Sequence, residues 1–222
     1  MAFYCKPNGY YYINSTEGKA NIFEMHYILE AAGYSLSAQC GVIGNCYGES
    51  GLNPWRWQSD TVNYSAGYGL FQFTPARGYI GPMSHVGGYG PNLSTTAVVG
   101  GRVTDGDAQL DCLVNDLLGK WVGTCWRSYW DSTTYPALYQ RRARILANYG
   151  SGSYLSQNQY KNIDNIPDAV FAFLACYEGP AVPDFQNRVD YANAVYTILT
   201  GDPPPRPPDP TRLPIWLLFK FK

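Results

Sequence analysis

The chain has 222 residues, with 16 Lys and Arg against 17 Asp and Glu and a formal net charge of -1. That length accommodates one sizeable core and a tail, and so even a balance carries no electrostatic footprint for a polyanion, which excludes nucleic-acid binding. Aromatic residues make up 16%, and 23 Gly with 16 Pro imply long irregular stretches, a combination suited to a carbohydrate cleft.

Cysteines stand at 5, 40, 46, 112, 125 and 176 without a Cys-x-x-Cys spacing, and the only histidines are His26 and His85, so no metal site is expected. The start, Met1-Ala2-Phe3-Tyr4-Cys5-Lys6 followed by Pro7, lacks the pattern of an export signal. Buried, reduced thiols are therefore expected rather than disulfides. The longest apolar run, Ile215 to Phe219, is far short of the ~20 residues of a membrane span, so stable membrane insertion is not expected.

In chain order, residues 1–17 read as an extended N-terminal segment with a turn at Pro7-Asn8-Gly9. Ile22, Met25, Leu29 and Ala32 then keep helical spacing until Gly33. A second helix, capped by Ser35 or Ser37, carries Leu36, Cys40, Ile43 and Tyr47 on one stripe and Gly41, Gly44 and Gly48 on another face. Each interior glycine costs a helix about 1 kcal/mol relative to alanine, so three on one face predict the close approach of another backbone. Glu49 projects beside that glycine face, where it can line a cleft.

Residues 53 to 103 are irregular, and the glycine-rich stretch Gly78 to Gly101 reads as a functional loop or lid. Helical spacing resumes at Leu110, Leu113, Val114, Leu117 and Trp121 after a capping cluster at 104–107. A shorter helix is placed at Tyr135 to Tyr149. Two more carry Ile166, Val170, Phe173 and Tyr177, then Phe185, Val189, Ala192, Tyr196 and Leu199. The domain reading is thus a body over 18–201, a Pro-rich linker over 202–212 and an apolar docking peptide over 213–222.

The chemistry concentrates in Gly48-Glu49-Ser50-Gly51-Leu52-Asn53-Pro54 and in Gly67-Tyr68-Gly69-Leu70-Phe71-Gln72-Phe73-Thr74. Cleaving a glycosidic bond needs a carboxylic acid that is still protonated near neutral pH. The negative end of the helix macrodipole disfavours a carboxylate at Glu49, and Leu52, Pro54, Trp55 and Trp57 are candidates for an apolar wall. Trp55, Trp57, Tyr64 and Tyr68 are candidates either for stacking on sugars or for the core.

Those two segments resemble the goose-type lysozyme and soluble lytic transglycosylase superfamily, and most closely the phage tail-associated lysozymes. Gly41-Val42-Ile43-Gly44-Asn45, Gln109-Leu110-Asp111 and Ala175-Cys176-Tyr177-Glu178-Gly179-Pro180 extend the resemblance over roughly 18–200, in the family's order. Phe73 stands where those lysozymes more often have tryptophan, and Gly179 where an arginine is frequent.

The resemblance implies a mainly α, lysozyme-like fold with a small β-hairpin over Gly67 to Thr74 at the cleft. It implies Glu49 as general acid, with Ser50, Tyr68, Gln72, Phe73, Tyr177 and Glu178 on the substrate side and no metal or organic cofactor. The substrate is then bacterial peptidoglycan and the setting a phage tail particle made in the host cytoplasm. The apolar peptide 213–222 itself is expected to dock into a groove or sheet edge of a tail hub or knob protein, the alternative being interfacial membrane contact through Trp216, Phe219, Lys220 and Lys222. A hydrolase needs a second carboxylate, for which Asp60 is the first choice and Glu178 the second, whereas a lytic transglycosylase works with one. The alternative reading is a catalytically inactive, lysozyme-like wall-binding or structural tail component.

Overall fold

The computed structural model describes residues 3–6, 9–79, 102–103, 105–123, 132–180 and 183–201. The glycine-rich stretch from 80 to 101, the linker and the apolar peptide named above lie outside these residues. The described architecture is mainly helical. Strand β1 (Phe3–Tyr4) is followed by α1 (Thr16–Ala31), α2 (Leu36–Ser50), a 3-10 turn (Gln58–Asp60), β2 (Arg102–Val103), α3 (Asp105–Val114), α4 (Pro136–Tyr149), α5 (Gln157–Tyr160), α6 (Ile166–Phe173), a π-helical turn (Leu174–Glu178) and α7 (Phe185–Thr200).

Helix α2 is the axis of the fold, and its glycine face explains why. The Ser35 hydroxyl caps it by accepting from the Ala38 N–H, and Gly51 ends it in the left-handed conformation. Helices α6 and α7 lie against the side where Gly41 and Gly44 leave no side chain. A Cβ on Gly41 would stand 2.8 Å from the Ala169 backbone, and one on Gly44 2.8 Å from Ala192. Backbones packed this close bury Val42, Ile43 and Cys46 with Ala169, Val170, Ala192 and Val195 in one core. Burying each larger aliphatic side chain contributes roughly 1.5–3 kcal/mol, which outweighs the propensity lost at the glycines.

The N-terminal segment is stitched onto this core by two buried asparagines. Asn21 Nδ2 donates to Tyr4 O and Leu52 O, and its Oδ1 accepts from the Tyr4 N–H. Asn53 Nδ2 donates to Lys6 O and Gly9 O at 2.9 Å each. Phe3 and Cys5 are buried, and β1 pairs antiparallel with β2, Phe3 opposite Val103.

Two helices differ from the sequence expectation. Helix α3 stops at Val114 instead of running to Trp121, because Asp116 turns into the left-handed region at φ +47°. Trp121 is instead held off the helix, its Nε1 donating to Leu155 O at 3.0 Å. The helix expected through Tyr177 ends its α-form at Phe173 and widens into the π turn, closed by Gly179 N–H donating to Leu174 O at 2.7 Å. Among the described residues, Cys5, Cys40, Cys46, Cys112 and Cys176 are buried and unbridged.

Candidate active site

The last turn of α2, the loop 67–74 and the π turn converge on a cleft of about 550 Å³. Its lining includes Glu49, Arg56, Gln58, Gln72, Thr74, Lys120 and Glu178, with Phe71, Phe73 and Tyr177 as aromatic walls. A cleft of this size falls within the range of ligand-binding pockets, where a few polar groups fix a ligand's orientation.

The loop 67–74 is narrower than the hairpin expected from the sequence. Tyr68 and Phe73 exchange two backbone hydrogen bonds, at 3.3 and 2.9 Å, and pairing is confined to isolated bridges among Trp57, Tyr68 and Phe73. Buried Gln109 of α3 fixes the loop from behind, its Oε1 accepting from the Leu70 N–H at 2.6 Å and its Nε2 donating to Pro54 O at 2.8 Å. Gln72 sits at φ +44° with its Nε2 donating to Arg56 O and Gly69 O, so its amide forms part of the cleft wall.

The π turn sets Glu178 at the cleft floor. Single π turns cluster at functional sites because the extra residue re-aims the side chains after it. Glu178 and Glu49 meet on one cation, Arg188 of α7. Arg188 Nη1 donates to Glu178 Oε2 at 3.1 Å, and Nη2 donates to Glu49 Oε1. The side chains of Arg188, Glu49 and Glu178 are 8%, 22% and 5% exposed, so Glu49 is the carboxylate presented to a ligand. Burial pushes the Glu178 carboxyl up to about 8; the Arg188 charge works against that rise and the Glu49 charge adds to it.

The residues singled out in the sequence separate into two groups. Glu49, Gln72, Phe73, Tyr177 and Glu178 line the same cleft. Asp60, Ser50 and Tyr68 do not. The Asp60 carboxylate faces the N-terminal segment, accepting from the Gly9 N–H at 2.7 Å with Arg56 Nε 3.9 Å away. The Ser50 hydroxyl is buried and donates to Cys46 O at 3.0 Å. Tyr68 is fully buried between Trp57 and Tyr79 and has no surface to offer a sugar. Leu52, Trp55 and Trp57 are also core residues, and the apolar wall comes from Phe71, Phe73 and Tyr177 instead.

Sequence reasoning missed Arg188. Its signal was an arginine on the buried stripe of α7 with Ala192, Val195 and Leu199, a position that only a buried anion makes tolerable.

Comparison with known proteins bears on the whole of this arrangement. The chain is 39% identical over 71 residues to Morphogenesis protein 1 of Bacillus phage B103, a match that covers 31% of this chain and 19% of that protein. Residues 21–199 match the family described as phage tail lysozyme. That span carries the glycine-faced helix, the cleft loop, the π turn and Arg188 together, and the chain belongs to the phage tail lysozyme family.

Proposed function

We propose that this chain cleaves the glycan strand of bacterial peptidoglycan by the single-carboxylate route of a lytic transglycosylase, with Glu49 as acid and then base. The observation that carries the reading is the placement of acids in the cleft. Glu49 and Glu178 are the acidic residues lining it among the described residues, and both are held by one guanidinium. They therefore stand side by side on the floor. A two-carboxylate hydrolase needs its acids on opposite sides of the sugar. The stretch from 80 to 101 contains no Asp or Glu, and Asp131 lies outside the described residues.

Glu49 gives its proton to the glycosidic oxygen as the C1–O bond breaks, and the departing sugar keeps that proton as a hydroxyl. The Glu49 carboxylate then takes a proton from the 6-hydroxyl of the muramoyl unit as that oxygen closes on C1, forming an anhydro ring without consuming water. The contact with Arg188 is the one the carboxylate form makes after proton delivery, so charge developing on Glu49 meets a fixed cation.

Mass analysis of fragments released from purified sacculi tests this reading. Anhydro-ended muropeptides are expected from the wild type and none from Glu49→Gln; reducing ends would establish hydrolysis instead. Fragments released equally by both proteins would remove Glu49 from the reaction. The same reading puts the protein in the phage particle, with residues 213–222 contacting a tail hub or knob protein. Deleting residues 203–222 is expected to leave cleavage intact and abolish incorporation into particles.

A further inference from the structure

The guanidinium of Arg188 is shared in a way that the reaction above does not by itself require. Nη1 donates to Asn45 O at 3.0 Å and Asn45 Oδ1 at 3.2 Å as well as to Glu178, while Nη2 serves Glu49. Asn45 is itself pinned, its Nδ2 donating to Gly41 O at 2.7 Å and Val170 O at 3.2 Å. The third glycine of the α2 face makes the crossing possible: a Cβ on Gly48 would stand 3.1 Å from Nη1 and 3.3 Å from Cζ. Among the described residues Arg188 is the cation paired with both carboxylates, Arg56 and Lys120 standing elsewhere in the cleft lining, and Glu178 Oε1 and Arg188 Nε are buried without a hydrogen-bond partner.

Two ionised carboxylates on one guanidinium sum to one negative charge, whereas one bound proton makes the group neutral. With Arg188 and Glu178 this deeply buried, charge left over on the group is disfavoured, so the neutral sum is favoured. We propose that Arg188 is the positioning residue of this site, fixing Glu49 and Glu178 side by side so that they act as a single ionising unit holding one proton. The proposal rests on the reading of Glu49 as the reacting acid.

The groups packed around the unit do not compete for that proton. Cys46 on α2, Tyr177 in the π turn and Tyr160 on α5 are all held well above their ordinary ranges, chiefly by burial, and stay neutral. Asp184, just before α7, is exposed to solvent. The rise at Glu178 has the sign that a shared proton requires.

The test combines cleavage kinetics on sacculi with a carbon-13 titration of glutamate side-chain carboxyls, in the wild type, Arg188→Met, Arg188→Lys and Glu178→Gln. One carboxyl is expected to titrate near 8 in the wild type and to vanish in Glu178→Gln. In Arg188→Met that midpoint moves upward, because the cation that opposed the burial is gone, and kcat falls about 100-fold with KM little changed. Arg188→Lys, which keeps the charge if the Met variant fails to fold, returns the midpoint towards the wild-type value. It recovers only part of kcat, since one ammonium cannot reproduce two fixed nitrogens. An unmoved midpoint in both variants, with activity lost only in proportion to the unfolded fraction, overturns the proposal. A wild type that releases no glycan fragments refutes the proposed reaction, and the titration still decides the role of Arg188.

Discussion

Two clusters in this molecule use the same chemistry with opposite stoichiometry. On the side of the fold formed by α4 and α6, Arg141 and Arg144 both donate to Asp168, and Arg141 also lies over the Phe185 ring at 5.0 Å. In the cleft, one arginine serves two glutamates. The surplus charge of the first cluster is an arginine that reaches water, Arg144 being 52% exposed, so hydration absorbs it. The surplus charge of the second is a buried carboxylate, and a proton must answer for it. Two cations on an anion make a clamp; two anions on a cation make a site that titrates.

Glu49→Gln should have the largest effect, about 1,000-fold on the cleavage rate with the melting temperature nearly unchanged, since positioned acid–base catalysis contributes on that order. The corresponding cut in the clamp should do the reverse. Asp168→Ala leaves two arginines unanswered, and discounting for the solvated Arg144, the loss is about 2 kcal/mol, which lowers the melting temperature by about 4–8 °C. Its kcat at 25 °C should match the wild type; a lost kcat with unchanged melting would erase the distinction between the clusters.

A smaller effect concerns pH. The folded Glu178 carboxyl, at about 8 against an ordinary 4.5, binds more proton than the unfolded chain between those values. Stability is therefore fullest below the lower value and declines as pH rises through the upper one. Asp107, raised to about 7 chiefly by burial, adds a decline of the same sign. Melting temperature should fall between pH 5 and 8 in the wild type and fall less in Glu178→Gln, and a parallel fall in both would remove Glu178 as its source.

Gly48→Ala should have the smallest effect and is the sharpest probe. Its Cβ would press on a guanidinium held by three partners, whereas alanine favours the helix by about 1 kcal/mol. Stability should change by less than about 1 kcal/mol while kcat drops a few-fold. Gly44→Ala, whose Cβ would meet the Ala192 backbone at 2.8 Å, should instead cost about 1–3 kcal/mol and leave the chemistry of the folded fraction alone.

Helix periodicity and capping read directly from the residues: α1, α2, α4 and α7 begin within a residue or two of where spacing and caps put them. The glycine face of α2 was legible for the same reason, because a repeated cost without local benefit demands a neighbour. What stayed hidden was direction. Eleven positions separate Glu49 from Asp60, and nothing local says that the chain between them turns Asp60 towards Gly9. The widening of α6 into a π turn leaves the apolar spacing intact, so the aim of Glu178 could not be read from it. Arg188 lies 139 positions from Glu49, and only its place on a buried stripe betrays a partner.

That separation of 139 positions also orders events during synthesis. The helix carrying Glu49 emerges early, but the two helices that clamp it and the arginine that holds its carboxylate come last, and domains complete their cores only when all partners have left the ribosome. Strand β1 likewise waits about a hundred positions for β2. A nascent chain or a fragment that stops before residue 188 has the glutamate without its setting. On the proposed function, glycan cleavage is therefore expected only from chains that extend past residue 188, and products interrupted before it are expected to be inactive.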